Sequence, residues 1–488
     1  MNGDSLYNYK YTHDKNFKNM IDSFKKLKSV LERLKEKNES IGLVTHMDAD
    51  GQTSRGILEL TFDRIGLDYD AVFNDLSPEA FDEVGRDFRD RFVVFADLGS
   101  GQKEMILKYF KPNQVAILDH HIPDPRFEVP LELNPHRWKF DGGKEISGAG
   151  VSYFLARQFG FLDLSQFAIV GAIGDMMNSF GKLEGLNRVI VDDGIRMGVL
   201  RVDKRPLLFG AETRPLYTSL FYLREPKLFQ TQDEARELLE EEGFYYNAGK
   251  RRSYNDLSFS ERNKLTRILV KRYIRMAPIT LKPFIHRLLI GEGYTLTVYP
   301  RKTPMRDAVE FATLLNATNR QKKPIVGVKT IKDVGHYREA VNLQSKNRRQ
   351  LRNTIQKALN EIDDRKSESD IMVIYNEINL AEPHLTGTLI QMILDELVPR
   401  YDKPVMGFML LDDMTVKLSM REPKILYLLG INLAKAVRDS AMKVGGQGGG
   451  HAPACGGFIP YNRLNEFIRY LEENLKQQLN NKVVYNLV

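Results

Sequence analysis

Four short stretches of the chain end an apolar run on a carboxylate or a carboxylate–histidine cluster: Thr45-His46-Met47-Asp48-Ala49-Asp50-Gly51, Phe95-Ala96-Asp97, Leu118-Asp119-His120-His121 and Gly171-Ala172-Ile173-Gly174-Asp175. Five aspartates and three histidines can thereby meet in one pocket. That donor set is large enough for two divalent cations, and a cation pair implies phosphate-ester chemistry. His46, Asp48 and Asp50 stand two apart. At a strand end alternate side chains point the same way, so all three are expected to reach one site. Gly51 is expected to allow a tight turn into the following helix. Asp97 carries two oxygens and can bridge two cations. His120 and His121 point differently, so one can bind metal while the other meets a substrate phosphate. Asp175 closes the shell. Mixed imidazole and carboxylate donors favour Mn2+, with Mg2+ or Co2+ as substitutes, over Ca2+. One such acid alone is more readily a helix cap, and one histidine a core residue. Four clusters, each at the end of an element and in order, are not.

A second signal lies near the end of the chain: Gly445-Gly446-Gln447-Gly448-Gly449-Gly450-His451-Ala452-Pro453-Ala454-Cys455-Gly456-Gly457. Backbone without side chains can press its N–H groups against phosphate oxygens, and His451 can add a hydrogen bond or a charge. A flexible linker seldom embeds His, Ala, Pro and Cys between glycines and strand-like flanks. Cys455 reads most simply as a small packing residue. It is the only cysteine, which excludes intramolecular disulfides, argues against a cysteine zinc site and suggests a reducing compartment.

The elements that must position these groups alternate. Residues 14–38 read as a helix, with Ile21, Phe24, Leu27, Val30, Leu31 and Leu34 at helical spacing among lysines. Residues 41–45, 71–73, 92–96 and 115–118 read as strands, and Ser54 to Ile65 as a helix after the first. Continuous apolar strands alternating with helices indicate a parallel sheet covered on both faces. The polar clusters then fall just past the carboxyl ends of the strands, where open α/β sheets place their ligands. Ser147 to Phe159 and Phe167 to Met177 read as packed helices, with Asp175 ending the second.

From about 196 to 290 arginine and lysine recur and glycine thins out. This reads as an inserted, mostly helical module, either a structural spacer or a partner-docking surface. Residues 291–335 return to the first domain, with a helix from Ala308 to Arg320 that puts Asn316 and Arg320 on one face. Residues 336–365 read as a long linking helix bearing Arg348, Arg349 and Arg352, and 366–488 as a smaller α/β domain. The fold class is α/β throughout.

The bulk numbers agree. A chain of 488 residues is too long for one core and implies two or three domains. Charged residues make up 28%, with a formal net charge of +7, and a basic surface around an acidic pocket suits a polyanionic substrate. The first 28 residues carry no apolar signal core, and no run approaches the roughly 18 apolar residues a membrane span needs. A soluble, cytoplasmic protein is expected.

These residues resemble the DHH phosphoesterase superfamily. Asp119-His120-His121 is its name-giving triplet; His46 to Gly51, Asp97 and Gly174-Asp175 match its other motifs. Gly448 to Gly457 resembles the GGGH motif of the DHH-associated C-terminal domain, and Ser419-Met420-Arg421 the strand before it that supplies a substrate-binding Ser and Arg. Leu315 to Arg320 is similar to a segment of RecJ-type nucleases, with Asn319 standing where that segment has glycine. Ser147 to Gly150 and the stretch from Leu208 to Tyr217 resemble the archaeal RecJ branch. The resemblance implies two α/β domains around a cleft, metals in the first and substrate-end binding in the second. It implies that His46, Asp48, Asp50, Asp97, His120 and Asp175 hold two Mn2+ ions, with Asp97, His121 and Asp119 serving catalysis. Asn316, Arg320, Ser419, Arg421, Gly448, Gly449, Gly450 and His451 would bind nucleic acid. It further implies an exonuclease of single-stranded DNA or RNA acting in replication or repair, associated with the replication factor GINS. The rival expectations are a replisome scaffold with an idle site and a phosphodiesterase of short oligonucleotides or cyclic dinucleotides.

Overall fold

The computed structural model describes residues 11, 13–178, 181–223, 227–247, 250–277, 281–361, 366–376, 386–396 and 403–480. The last residues of the expected linking helix, 362–365, lie outside these, as do the first ten of the chain. The chain divides into two compact units. One comprises 1–216, 247–257 and 291–347; the other comprises 217–246, 258–290 and 348–488.

In the first unit, β1 (Ile41–Thr45), β2 (Tyr69–Phe73), β3 (Val93–Ala96), β4 (Val115–Leu118) and β5 (Leu131–Leu133) form a parallel sheet in the order β2-β1-β3-β4-β5. β1, β3 and β4 are buried along their whole length, as strands covered on both faces must be. Leu43, Val94, Ala116 and Leu118 join one apolar cluster, and Val44, Val93, Phe95, Val115 and Ile117 another. Alternation sends neighbouring side chains to opposite faces. Strand order reverses between β1 and β3, and the crevice past the carboxyl ends at such a switch point is where open α/β sheets bind ligands.

The helices of this unit are α1 (Lys15–Glu36), α2 (Ala49–Ile65), α3 (Pro78–Asp87), α4 (Gly148–Gln158), α5 (Ser165–Gly174), α6 (Leu186–Arg196), α7 (Ala308–Arg320) and α8 (Pro324–Lys332). β6 (Leu200–Pro206) pairs with β7 (Ile290–Leu296). α2 begins five residues before the expected Ser54. The Asp48 side chain accepts the Gly51 amide and the Asn316 side chain accepts the Ala49 amide, so the amides of the first turn are satisfied from Ala49 onward. The alternation argument for His46, Asp48 and Asp50 is therefore corrected. His46 follows the strand, Asp48 is the helix N-cap, and Asp50 lies in the first turn. Gly51 makes no turn. It is glycine because a Cβ there would lie 2.1 Å from the His46 carbonyl oxygen.

α9 (Tyr337–Glu361) leads to a six-stranded sheet in the second unit. Its strands are β8 (Lys366–Glu368), β9 (Val373–Tyr375), β10 (Val405–Leu410), β11 (Thr415–Arg421), β12 (Gln447–His451) and β13 (Ala454–Pro460), ordered β8-β9-β10-β11-β13-β12. α10 (Thr386–Glu396), α11 (Leu433–Lys443) and α12 (Leu464–Asn480) accompany it. The glycine-rich stretch, read from sequence as bare backbone wrapping a phosphate, is largely an antiparallel hairpin of β12 and β13. Sheet pairing offsets the conformational freedom its glycines lose. The remaining segments of this unit carry the helices Gln232–Glu241 and Phe259–Met276. The latter starts on a reciprocal cap between Ser258 and Glu261. Among the described residues no helix is long and apolar enough to cross a membrane.

Candidate metal centre

Five element ends deliver the acids and imidazoles. β1 ends at His46, α2 starts on Asp48 and Asp50, β3 ends at Asp97, β4 at Asp119-His120-His121, and α5 at Asp175. The side chains converge as three groups, His46-Asp48-Asp97, Asp50-His120-Asp175 and Asp97-Asp119-His120-His121; within each, donor atoms lie within 4.8 Å of one another. Asp97 faces the first two. Its Oδ2 is 3.8 Å from His46 Nδ1 and its Oδ1 3.3 Å from His120 Nε2. His46 Nδ1 is also 3.1 Å from Asp48 Oδ2, and His120 Nε2 is 3.2 Å from Asp175 Oδ2.

The surrounding residues fix how each group can act. His120 Nδ1 lies 2.6 Å from the Gly142 carbonyl oxygen. A carbonyl only accepts, so Nδ1 carries the proton and Nε2 turns its lone pair to the acids. Asp50 accepts the Gly148 and Ala149 amides at 2.7 and 3.0 Å, at the N-terminus of α4, where an anion is favoured. Gly148 has no side chain for a steric reason: a Cβ would lie 2.4 Å from Asp97 Oδ1. Asp97 itself has φ +60°, a left-handed conformation that costs a non-glycine residue about 1 kcal/mol or more. Its amide is held by the Leu118 carbonyl at 2.9 Å.

Asp119 is occupied differently. It accepts the Ser100, His120 and His121 amides and the His121 Nδ1 proton. Oδ1 takes three of these bonds and Oδ2 only that of the Ser100 amide, so Asp119 positions His121 while Oδ2 keeps a lone pair. His121, at 53% side-chain exposure, presents Nε2 outward.

Electrostatics follow from this crowding. Burial pushes the Asp97 carboxyl well above its ordinary value, and Asp50, Asp48 and Asp175 add to the shift. Asp175 is raised for the same reasons. Burial also raises Asp48 and Asp119, but the His46 and His121 charges outweigh it and hold both well below the ordinary range. Burial lowers His46, and the Asp48 carboxylate more than reverses this. Asp97 Oδ1 and His120 Nε2 are buried without a hydrogen-bond partner. Two such orphans among carboxylates are the mark of a cation site, since a divalent cation would satisfy both. The residues therefore fit a pair of hard or borderline divalent ions.

The expected nucleic-acid residues fall into separate places. Asn316, in α7, accepts the Ala49 amide at 3.1 Å and so braces the helix that carries Asp48 and Asp50. Arg320 ends α7 exposed, and among the described residues no ion pair holds it. In the second unit, Ser419 and Arg421 share a face of β11. Arg421 Nη1 donates to the Met420 and Cys455 carbonyls at 2.8 and 3.3 Å. Gly448, Gly449, Gly450 and His451 form most of the edge strand β12. Gly448 packs on Val437, with a Cβ at 2.8 Å, whereas a Cβ on Gly449 would meet only open space. The sequence reading missed Gly142, the Gly148 and Ala149 amides, and Ser100. The Ser-Gly-Ala-Gly run at 147–150 was the one signal for any of them.

Residues 370–477 match the DHHA1 domain. The described strands β9 to β13 lie within that match, and the metal-type centre sits on the separate parallel sheet. The matched segment is a DHHA1 domain, and the chain as a whole has the fold of the solved structures it resembles. An uncharacterized protein of Methanocaldococcus jannaschii is 28% identical over 471 residues, covering 94% of this chain and 100% of its own. CDC45 from Entamoeba histolytica shares the fold at a TM-score of 0.59 and 16% identity, over 93% of this chain and 99% of that one. RecJ from Thermus thermophilus, solved with Mn2+, aligns at a TM-score of 0.55 and 18% identity over 95% of this chain. The chain spans about half of that RecJ, 55% of its length.

Proposed function

We propose that this protein is a Mn2+-dependent exonuclease that hydrolyses phosphodiester bonds of single-stranded DNA, with RNA as an alternative substrate. Two triads with Asp97 between them, and orphaned polar atoms at the junction, carry the reading. His46, Asp48 and Asp97 would hold one ion, and Asp50, His120 and Asp175, with the second Asp97 oxygen, the other. A bound cation pair supplies Lewis acidity and a water of lowered pKa. The chain's own groups do the rest. Gly142 keeps His120 in one tautomer, and the α4 amides hold the Asp50 carboxylate in place. Asp119 fixes His121 with Nε2 facing out, where it can contact a phosphate oxygen or give a proton to the leaving oxygen. Arg421, Ser419 and His451 would grip the strand in the DHHA1 domain, and Arg320 its backbone near the centre. Manganese in RecJ supports the choice of ion.

Likeness to CDC45 over nearly its whole length favours a second reading, a replisome component with GINS as partner and little activity. The complete donor set favours the enzyme. Action in replication or repair, in the cytoplasm, follows from the first reading. End-labelled single strands of graded length, incubated with Mn2+ or EDTA, separate the cases. Ladders from long strands support the exonuclease, activity confined to dimers indicates a small phosphodiesterase, and no turnover with any metal leaves the scaffold. Blocking the 5′ or 3′ end then gives polarity.

A further inference from the structure

One face of the DHHA1 sheet is organised as three rows. Cross-strand register puts Arg421, Ala454 and His451 in one row, Ser419, Gly456 and Gly449 in the next, and Lys417, Phe458 and Gln447 in the third. The middle row extends to Gly407 on β10. Val416, Leu418, Met420, Cys455 and Ile459 alternate with these positions, and all five are buried in the opposite face. Toward β10 the middle row is covered, with Ser419 buried and Gly387 of α10 close against Ser419 and Arg421; over β13 and β12 it is a trench floored by Gly456 and Gly449. A Cβ built on Gly449 meets nothing within 4 Å, so the trench is open at its β12 end.

One wall of the trench is basic, and the other carries an aromatic ring. Phe458 is 47% exposed, unusual for a phenylalanine in a strand. Lys417 Nζ lies 5.7 Å from the ring centroid, and among the described residues no carboxylate pairs with it. Lys417 and Phe458 stand side by side in one row, on neighbouring strands about 5 Å apart, within the reach from a phosphate to the base it carries. Sheets that bind single strands use this combination, an exposed ring among cations on an open face, because every base has a π-face.

We propose that Phe458 is the stacking surface for one base of the bound strand, with Lys417 beside the adjoining phosphate and the glycine trench giving the sugar room. The inference rests on the DHHA1 domain being a strand-binding module and adds what it reads: an unpaired base, whatever its identity. A duplex keeps its bases stacked on one another and cannot offer one to the ring, so Phe458 would also enforce single-strandedness.

The test is binding of fluorescein-labelled oligothymidylate to the full-length protein, followed by anisotropy in EDTA to prevent turnover. Phe458→Ala is expected to weaken binding about tenfold. Phe458→Leu, equally apolar but not aromatic, should behave like Ala, and Phe458→Trp should stay within about twofold of the parent. A strand with an abasic residue scanned through successive positions should lose the same factor at one position with the parent protein and nothing further with Phe458→Ala. Parent-like binding by Phe458→Leu, or an abasic loss equal in both proteins, overturns the stacking role. Arg421→Ala separates the two levels. If it loses the strand while Phe458→Ala does not, strand binding stands and stacking falls; if the parent binds no strand, both fall.

Discussion

At the residue scale the argument turns on Asp97. Without a cation its ionised form faces Asp50, Asp48 and Asp175 in a buried site. The folded protein therefore holds a proton there more tightly than the unfolded chain. Stability from that proton is present below the ordinary carboxylate value of 3.8 and is lost as pH rises through the raised ones of Asp97 and Asp175. Asp48 and Asp119, both lowered, act oppositely: their contribution is present above 3.8 and lost as pH falls. Two outcomes follow. Thermal scans of EDTA-treated protein should show the melting temperature falling as pH rises from about 5 to 8. Added Mn2+ should raise it most at the upper end, by about 2.7 kcal/mol for each site filled at a hundredfold excess over Kd. Asp97→Asn should melt higher than the parent in EDTA, lose the Mn2+ shift and show no hydrolysis. A parent-like Mn2+ shift in that variant would refute the bridging role. Asp119→Asn, which disturbs the groups holding His121 and leaves the triads in place, should cost about 10–100-fold in turnover, with Mn2+ still bound.

At the element scale, helix starts and close approaches decide the site. Gly148→Ala would put a methyl group 2.4 Å from Asp97 Oδ1, displacing α4 or the acid. A loss of about 1–3 kcal/mol, together with weakened Mn2+ binding, is expected from thermal unfolding and metal titration. Asn316→Ala removes the side chain that caps the Ala49 amide and should cost about 1 kcal/mol. These elements also show what could be read in advance. The strands were legible because apolar runs stop abruptly at acids, and both helices around 148–175 were legible from their small residues. The true start of α2 was not, because the group that satisfies Ala49 lies 267 residues on. β5 has three residues, too few to show a period. The bond from Ser100 to Asp119 was not legible, because Ser100 sits in a different loop. The glycines of β12 looked like a loop because glycine disfavours strands in general, and only pairing with β13 overrules that.

At the scale of the whole molecule, a net charge of +7 coexists with a pocket dense in aspartate, so strand binding should be strongly salt-dependent. Affinity for an oligonucleotide should fall linearly on a log–log plot against salt, with a slope of about −0.7 per phosphate neutralised. Arg421→Ala should reduce the slope by about 0.7, read from anisotropy at several salt concentrations. An unchanged slope would remove Arg421 from the backbone contacts. The order of the chain has its own outcome. The acids and imidazoles are all synthesised by residue 175, yet Gln52 donates to the Leu315 carbonyl, and Ala49 to Asn316. The first unit is left and re-entered twice before it closes near residue 347. On the ribosome the centre must wait, its acids made early and its brace last. A nascent chain halted between those points would display an acidic, half-built pocket and depend on chaperones until the final helices emerge.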